Sequence, residues 1–294
     1  MKDNIATKTL EKTDNTKREK EIGVHPFSNR AAAFLKYEPV ELNGLVYYPI
    51  KVEDYNLWQA VKPILTLRQG RLPAVYACMT YLQCVWALQH DAMEQGQKAV
   101  KTWDKLAALL FASLRLSDAD TIQPLGDSQD HSHLSAIRIT KDGNAFEINA
   151  MEFAQVRKLI ADLNGAELPD EADNPDLIEA AEDMASSNNE QIKYDFSDML
   201  TSVSSAMGIR RADILDWTVK EFDDVFRSIK RRIGYVLSSM AESNGAKFKH
   251  GNPYPTWIFD KAKDEFAGLI PLERLQAEHK ANISVSSEAP DQHL

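Results

Sequence analysis

The chain has 294 residues, 44% of them hydrophobic and 27% charged, which places it among globular proteins with room for one large or two ordinary domains. A formal net charge of −10 disfavours a general polyanion binder, and the excess is local: between Asp162 and Asp198 twelve carboxylates face a single cation, Lys193. No apolar stretch reaches the ~18 residues of a membrane span, and Met1 to Glu21 lacks the apolar core of a secretory signal, so the expected location is the cytoplasm.

Residues 1–33 are polar, rich in Thr and Lys and without apolar periodicity, and read as a disordered arm. Pro39–Leu42 and Leu45–Tyr48 then flank Asn43-Gly44, the dipeptide that tolerates positive φ at both centres of a type I′ turn. Tyr55, Trp58, Val61 and Leu65 mark one face of a helix beginning near Glu53, with Pro63 a kink or an end to its regular part. A second helix is expected from Val75 to Gln89 after Pro73, and a third from Lys98 to Leu116. Cys78 and Cys84 sit in the second, about 600° apart around its axis, and read as two buried free thiols of a reducing compartment.

A second hairpin joins Ser135–Thr140 to Ala145–Ile148, and Asn149 is the expected N-cap of a helix over Ala150–Leu163 that Gly165 ends. The acidic residues 166–193, with Pro169, Pro175 and a predicted helix Asp176–Ser186, read as a linker. Beyond it Asp195 should cap a helix Phe196–Met207, Gly208 breaks it, Arg211–Leu215 forms a short turn, and a long helix runs Asp216–Ser243. A short helix is expected at Pro271–His279, and residues 281–294 read as a disordered tail. The fold class is therefore mainly α with two short β-hairpins, an α+β chain with helical N-terminal (34–165) and C-terminal (194–280) domains.

Val219, Phe222, Phe226, Ile229, Ile233, Val236 and Met240 step by alternating 3 and 4, an a/d seam along the long helix. Its expected fate is burial against Phe196, Leu200 and Val203 of the preceding helix; the alternative is a surface left for a partner. The large aromatics of this half, Trp217, Phe222, Phe226, Tyr235, Tyr254, Trp257 and Phe259, read chiefly as core. As partner-binding candidates the sequence offers Trp217, Phe222, Phe226, Ile229, Ile233, Tyr254 and Trp257.

Chemistry is poorly provided for. His131 and His133 with Asp127 and Asp130 are the one cluster of metal-ligand residue types, in a Gly- and Ser-containing loop without Cys, and read as a solvated loop. There is no Gly-x-Ser-x-Gly elbow and no Gly-rich phosphate loop, so no catalytic residue, cofactor or metal is expected. Ser197–Phe222 has the spacing of a helix-turn-helix, but Asp213, Asp216, Glu221, Asp223 and Asp224 would repel a phosphate backbone, and no nucleic-acid partner is expected.

Ile214-Leu-Asp-Trp-Thr-Val-Lys-Glu-Phe222, Lys230-Arg-Arg-Ile-Gly-Tyr235, Lys247-Phe-Lys-His-Gly-Asn-Pro-Tyr-Pro-Thr-Trp257 and Tyr48-Pro-Ile-Lys-Val-Glu-Asp-Tyr55 together resemble the tail-morphogenesis proteins of long-tailed bacteriophages of Gram-positive hosts, the tail assembly chaperones among them. The resemblance spans most of Phe34 to Leu275, and the chain is longer than many of the family's short forms. It implies a non-enzymatic helical protein of the host bacterial cytoplasm that coats the tape measure protein and recruits tail tube protein. A structural subunit of the virion, or a helix-turn-helix DNA-binding regulator, are the alternative readings.

Overall fold

Two short dipeptides set the β structure. Asn43 and Gly44 take φ of 56° and 75°, and Asp142 and Gly143 take 51° and 78°, the left-handed values that a type I′ hairpin needs at both central positions. The computed structural model describes residues 23–94, 101–126, 134–169, 195–248 and 252–258. Along the chain come β1 (His25–Pro26), α1 (Arg30–Lys36), β2 (Val40–Leu42), β3 (Leu45–Tyr47), α2 (Tyr55–Leu65), α3 (Ala74–Ala77), α4 (Tyr81–Glu94) and α5 (Thr102–Leu114). Then follow β4 (Thr121–Gly126), β5 (Leu134–Lys141), β6 (Asn144–Asn149), α6 (Phe153–Leu163), α7 (Phe196–Met207), α8 (Arg211–Leu215) and α9 (Val219–Ser243). The chain is mainly α with two small three-stranded sheets, as the sequence predicts in class.

Several details differ from the sequence reading. Secondary structure begins before Phe34, because β1 pairs in parallel with β2 and α1 buries Ala33. Each hairpin gains a third strand, and Pro124 in β4 fits an edge position, where no ladder N–H is required of it. The helix expected over Val75–Gln89 is broken into α3 and α4, since side chains replace the backbone ladder there. Gln69 Nε2 donates to the carbonyls of Tyr76 and Met79 at 3.1 and 3.0 Å. Thr80 and Gln83 cap the new start reciprocally, at 3.0 and 3.4 Å. In consequence Cys78 is exposed and only Cys84 is buried, both free, which corrects the expectation of two buried thiols. The predicted helices Asp176–Ser186 and Pro271–His279 and the His131–His133 loop lie outside the described residues.

By packing the chain divides into two units, Met1–Thr66 with Thr80–Glu167 and Trp217–Glu221, and Leu67–Met79 with Leu168–Asp216 and Phe222–Leu294. Residues 67–79 and 217–221 thus fall on opposite sides from where contiguous domains over 34–165 and 194–280 would put them.

In the first unit, Trp58, Val61 and Leu65 of α2 are buried, as are Leu106, Leu109, Leu110 and Leu114 of α5, and these two helices pack together. The C-terminal end of α2 is closed by side chains. Tyr81 donates its hydroxyl to the Ile64 carbonyl at 2.7 Å, and Arg157 Nε donates to the Leu65 carbonyl at 2.8 Å. The Arg157 guanidinium also lies 3.9 Å from the Tyr81 ring centre, and Tyr81 stacks on Phe153 at 6.1 Å. Burial pushes the Tyr81 hydroxyl well above its ordinary pKa, so it remains a donor. Asn164, also buried, accepts from Ile50 N–H at 2.8 Å. Residues 50–52 pair in turn with 217–219, through Val219 N–H to the Ile50 carbonyl at 2.8 Å and Val52 N–H to the Trp217 carbonyl at 2.9 Å. That backbone pairing is what assigns Trp217–Glu221 to this unit.

Asp120 ties the second sheet to the end of α5. Its carboxylate accepts from Ser117 N–H and Oγ at 2.7 and 2.8 Å and from Asp142 N–H at 2.9 Å, while Lys141 Nζ donates to the Leu114 carbonyl at 2.7 Å.

In the second unit, Asp195 and Asp198 form a capping box at the start of α7, and Gly208 ends it at φ 65°. Met199, Leu200, Val203, Ile214 and Phe222 are buried, and Phe222 meets Phe196 edge-on at 5.8 Å.

Two outcomes follow for the first unit. Arg157→Leu should cost about 2–3 kcal/mol in urea unfolding, since it strands a buried carbonyl and removes a charged hydrogen bond; an unchanged midpoint would mean that water replaces the guanidinium. The hydrogen bonds from Ser117 and Asp142 hold Asp120 below its ordinary pKa. A depressed carboxylate stabilises above its unfolded pKa and loses that contribution as pH falls through the folded one, here below roughly pH 4. The protection factor of the Asp142 amide, taken against the intrinsic exchange rate at each pH, should therefore fall on acidification, and Asp120→Asn should remove that pH dependence.

Candidate partner-binding surface

Helix α9 has 25 residues, and its apolar seam changes character along its length. Val219 and Phe222 are fully buried, Phe226 and Ile229 half-buried, and Phe226 stacks on Phe222 at 6.5 Å. From there the cover ends: Ile233 is 54% exposed, Val236 47%, Leu237 61% and Met240 57%. The expectation that the whole seam buries against Phe196, Leu200 and Val203 thus holds only at its start. Phe196 meets Phe222, and Ile233, Val236 and Met240 lie open to solvent.

The chain does cover a neighbouring face of the same helix. Residues 252–258 lie along Arg231, Gly234 and Ser238, where Arg231 Nη1 donates to the Ile258 carbonyl at 3.1 Å. Ser238, 6% exposed, reaches the Tyr254 carbonyl at 3.5 Å. Gly234 is needed for this contact, because a Cβ there would stand 2.8 Å from the Tyr254 ring. At about 100° per residue these positions lie to one side of the exposed stripe, not beneath it.

The candidate residues are accordingly dispersed. Trp217 is half-buried in the first unit, its carbonyl accepting from Val52. Phe222 belongs to the core of the second. Phe226, Ile229 and Ile233 share one face of α9; Tyr254 packs against Gly234, and Trp257 is 53% exposed beside it in sequence on the same segment. Val236, Leu237 and Met240 complete the exposed stripe. The first and last belong to the seam's 3/4 count, but Leu237 stands outside it and only the helix geometry brings it in.

The stripe has cationic edges. Between Val225 and Ala241 there are four cations, Arg227, Lys230, Arg231 and Arg232, and no carboxylate, against a chain charge of −10. Lys230 and Arg232 are exposed, and among the described residues neither has an ion-pair partner. The helix-turn-helix elements are present as α7, Gly208 and α8, but α8 has five residues, and Arg210 at its start is held by Asp213 through hydrogen bonds of 3.0 and 2.8 Å. In the first unit a surface depression of about 260 Å³ is lined by Lys51, Glu53, Asp54 and Arg115, mixed charges with Lys51 3.5 Å from Glu53. Among the described residues no three His, Cys, Asp or Glu side chains group as metal ligands would, and no helix is long and apolar enough to cross a membrane.

Gly234→Ala should push Tyr254 off the helix while leaving α9 helical, since alanine favours a helix over glycine by about 1 kcal/mol. Amide exchange in residues 252–258 is expected to rise about tenfold, the equivalent of ~1.4 kcal/mol, with unchanged circular dichroism. Unaltered exchange would show that the segment is held elsewhere.

Comparison of the chain with protein-family models, with curated proteins and with solved structures found no match.

Proposed function

We propose that the chain is a non-enzymatic tail assembly chaperone of a long-tailed bacteriophage, acting in the host bacterial cytoplasm. It binds the tape measure protein and promotes assembly of tail tube protein around it. The observation that carries this reading is the exposed stripe Ile233, Val236, Leu237 and Met240 on a helix whose other end is built into a core. Monomeric proteins rarely leave a contiguous apolar surface of this kind without a use for it. The sequence resemblance over Phe34 to Leu275 supplies the class of client. A long helical client coated along its length calls for many shallow, repeated helix contacts, which a short apolar stripe suits and an enclosed pocket does not.

The test is co-expression with the tape measure protein of the same phage. A soluble complex that co-purifies, with no requirement for metal and no shift of duplex DNA, is the expected result. Tape measure protein that stays insoluble or unbound overturns the chaperone reading. A salt-sensitive DNA shift, the signature of phosphate contacts, would favour the regulator instead.

A further inference from the structure

The exposed stripe of α9 has a shape and a charge that specify what covers it. Its apolar residues lie within about 100° of helix circumference, from Val236 on one side to Leu237 on the other, and run about 16 Å from Ile229 to Met240. A stripe this narrow, at 3/4 spacing, matches the seam of a second helix; a membrane-surface helix presents a broader apolar face, usually with aromatic anchors. Lys230 lies along one edge and Arg232 along the other, both exposed, with no carboxylate between Val225 and Ala241 to neutralise them. A second copy pairing through this same stripe of α9 would bring cations to both edges of the pair and find no acid between Val225 and Ala241. An occupant with carboxylates flanking its apolar seam makes opposite-charge contacts at both edges.

We infer that the Ile233–Met240 stripe of α9 is a docking site for an acidic amphipathic helix of another protein, held by apolar a/d contacts and by carboxylates facing Lys230 and Arg232. This rests on the chaperone reading only in taking the client as the source of that helix. The geometry calls for the acidic helix whatever protein carries it. A surface this small gives weak, reversible binding.

The probe is a synthetic three-heptad peptide with Leu at a and d and Glu at e and g, beside a twin with Lys at e and g, titrated against the full chain by fluorescence anisotropy. The Glu peptide is expected to bind at least about fivefold tighter than the Lys peptide, the sum of several exposed ion pairs. The double variant Leu237→Glu, Met240→Glu should weaken Glu-peptide binding by about tenfold or more. Both side chains are exposed, so it should keep the parent's circular dichroism. Lys230→Glu with Arg232→Glu should reverse the preference toward the Lys peptide.

No binding of the Glu peptide by the parent chain, equal binding of both peptides, or undiminished binding by the stripe variant overturns the proposal. So does concentration-dependent dimerisation in sedimentation that the stripe variant abolishes, which would assign the stripe to a second copy. Binding to phosphatidylserine vesicles through the same residues, without peptide binding, would assign it to a lipid surface and overturn the proposal equally. Peptide failure beside an intact tape measure complex removes this site alone; peptide binding without that complex removes the chaperone reading alone.

Discussion

The first unit is organised around the closed end of α2. Pro63 lies within that helix and has no N–H to offer the Gln59 carbonyl four residues back, so the helix is one hydrogen bond short even before its end. The helix ends at Leu65 among buried residues, where free carbonyls cannot turn to water. Tyr81 from α4 and Arg157 from α6 supply the missing donors. Burying a guanidinium ordinarily costs several kcal/mol. Here the negative end of the α2 dipole, the Leu65 carbonyl and the face of the Tyr81 ring together offset that cost. Three helices therefore meet at one polar knot inside an apolar core, and the knot fixes their ends more sharply than leucine packing alone would.

Much of this fold was legible because its signals are local. Asn43-Gly44, the Asp195 cap and Gly208 each act within a few residues of themselves, and each appears where turn and cap chemistry puts it. What was not legible depends on distant partners. The partner of Arg157 is 92 residues away, so nothing near it in sequence marks it as a buried group. Strands β1 and β4 are defined by their pairing and carry no periodicity of their own. The break between α3 and α4 was in principle readable as Thr80-x-x-Gln83, a capping box, but it stands inside an apolar run that periodicity joins into one helix.

The candidate site follows the same division. A 3/4 seam in α9 is a property of the sequence; which part of it is covered is a property of the neighbours. Phe196 supplies cover at Phe222. Residues 252–258 pack on the adjacent face, drawn there by the side-chain-free surface of Gly234 and by Arg231 and Ser238. Leu237 escapes a strict heptad count because it widens the stripe between two seam positions, and only the folded helix puts it beside Ile233 and Met240.

That arrangement separates stability from recognition along one helix. At its start, Phe222 is fully enclosed, and emptying that site would cost about 3–5 kcal/mol, as core aromatics do. About four to five turns later, Leu237 and Met240 add little to the fold, because more than half of each is already in water. Covering either with a partner removes apolar surface at about 25 cal/mol per Å², so binding draws on free energy that folding has left unused. On the proposed docking, Lys230 and Arg232 do two things at once: they disfavour the pairing of this stripe with a like one, and they select among helices for those that carry acid. Because the helix is anchored at one end and exposed at the other, the residues of its exposed end can change without loosening the core that holds the helix in place.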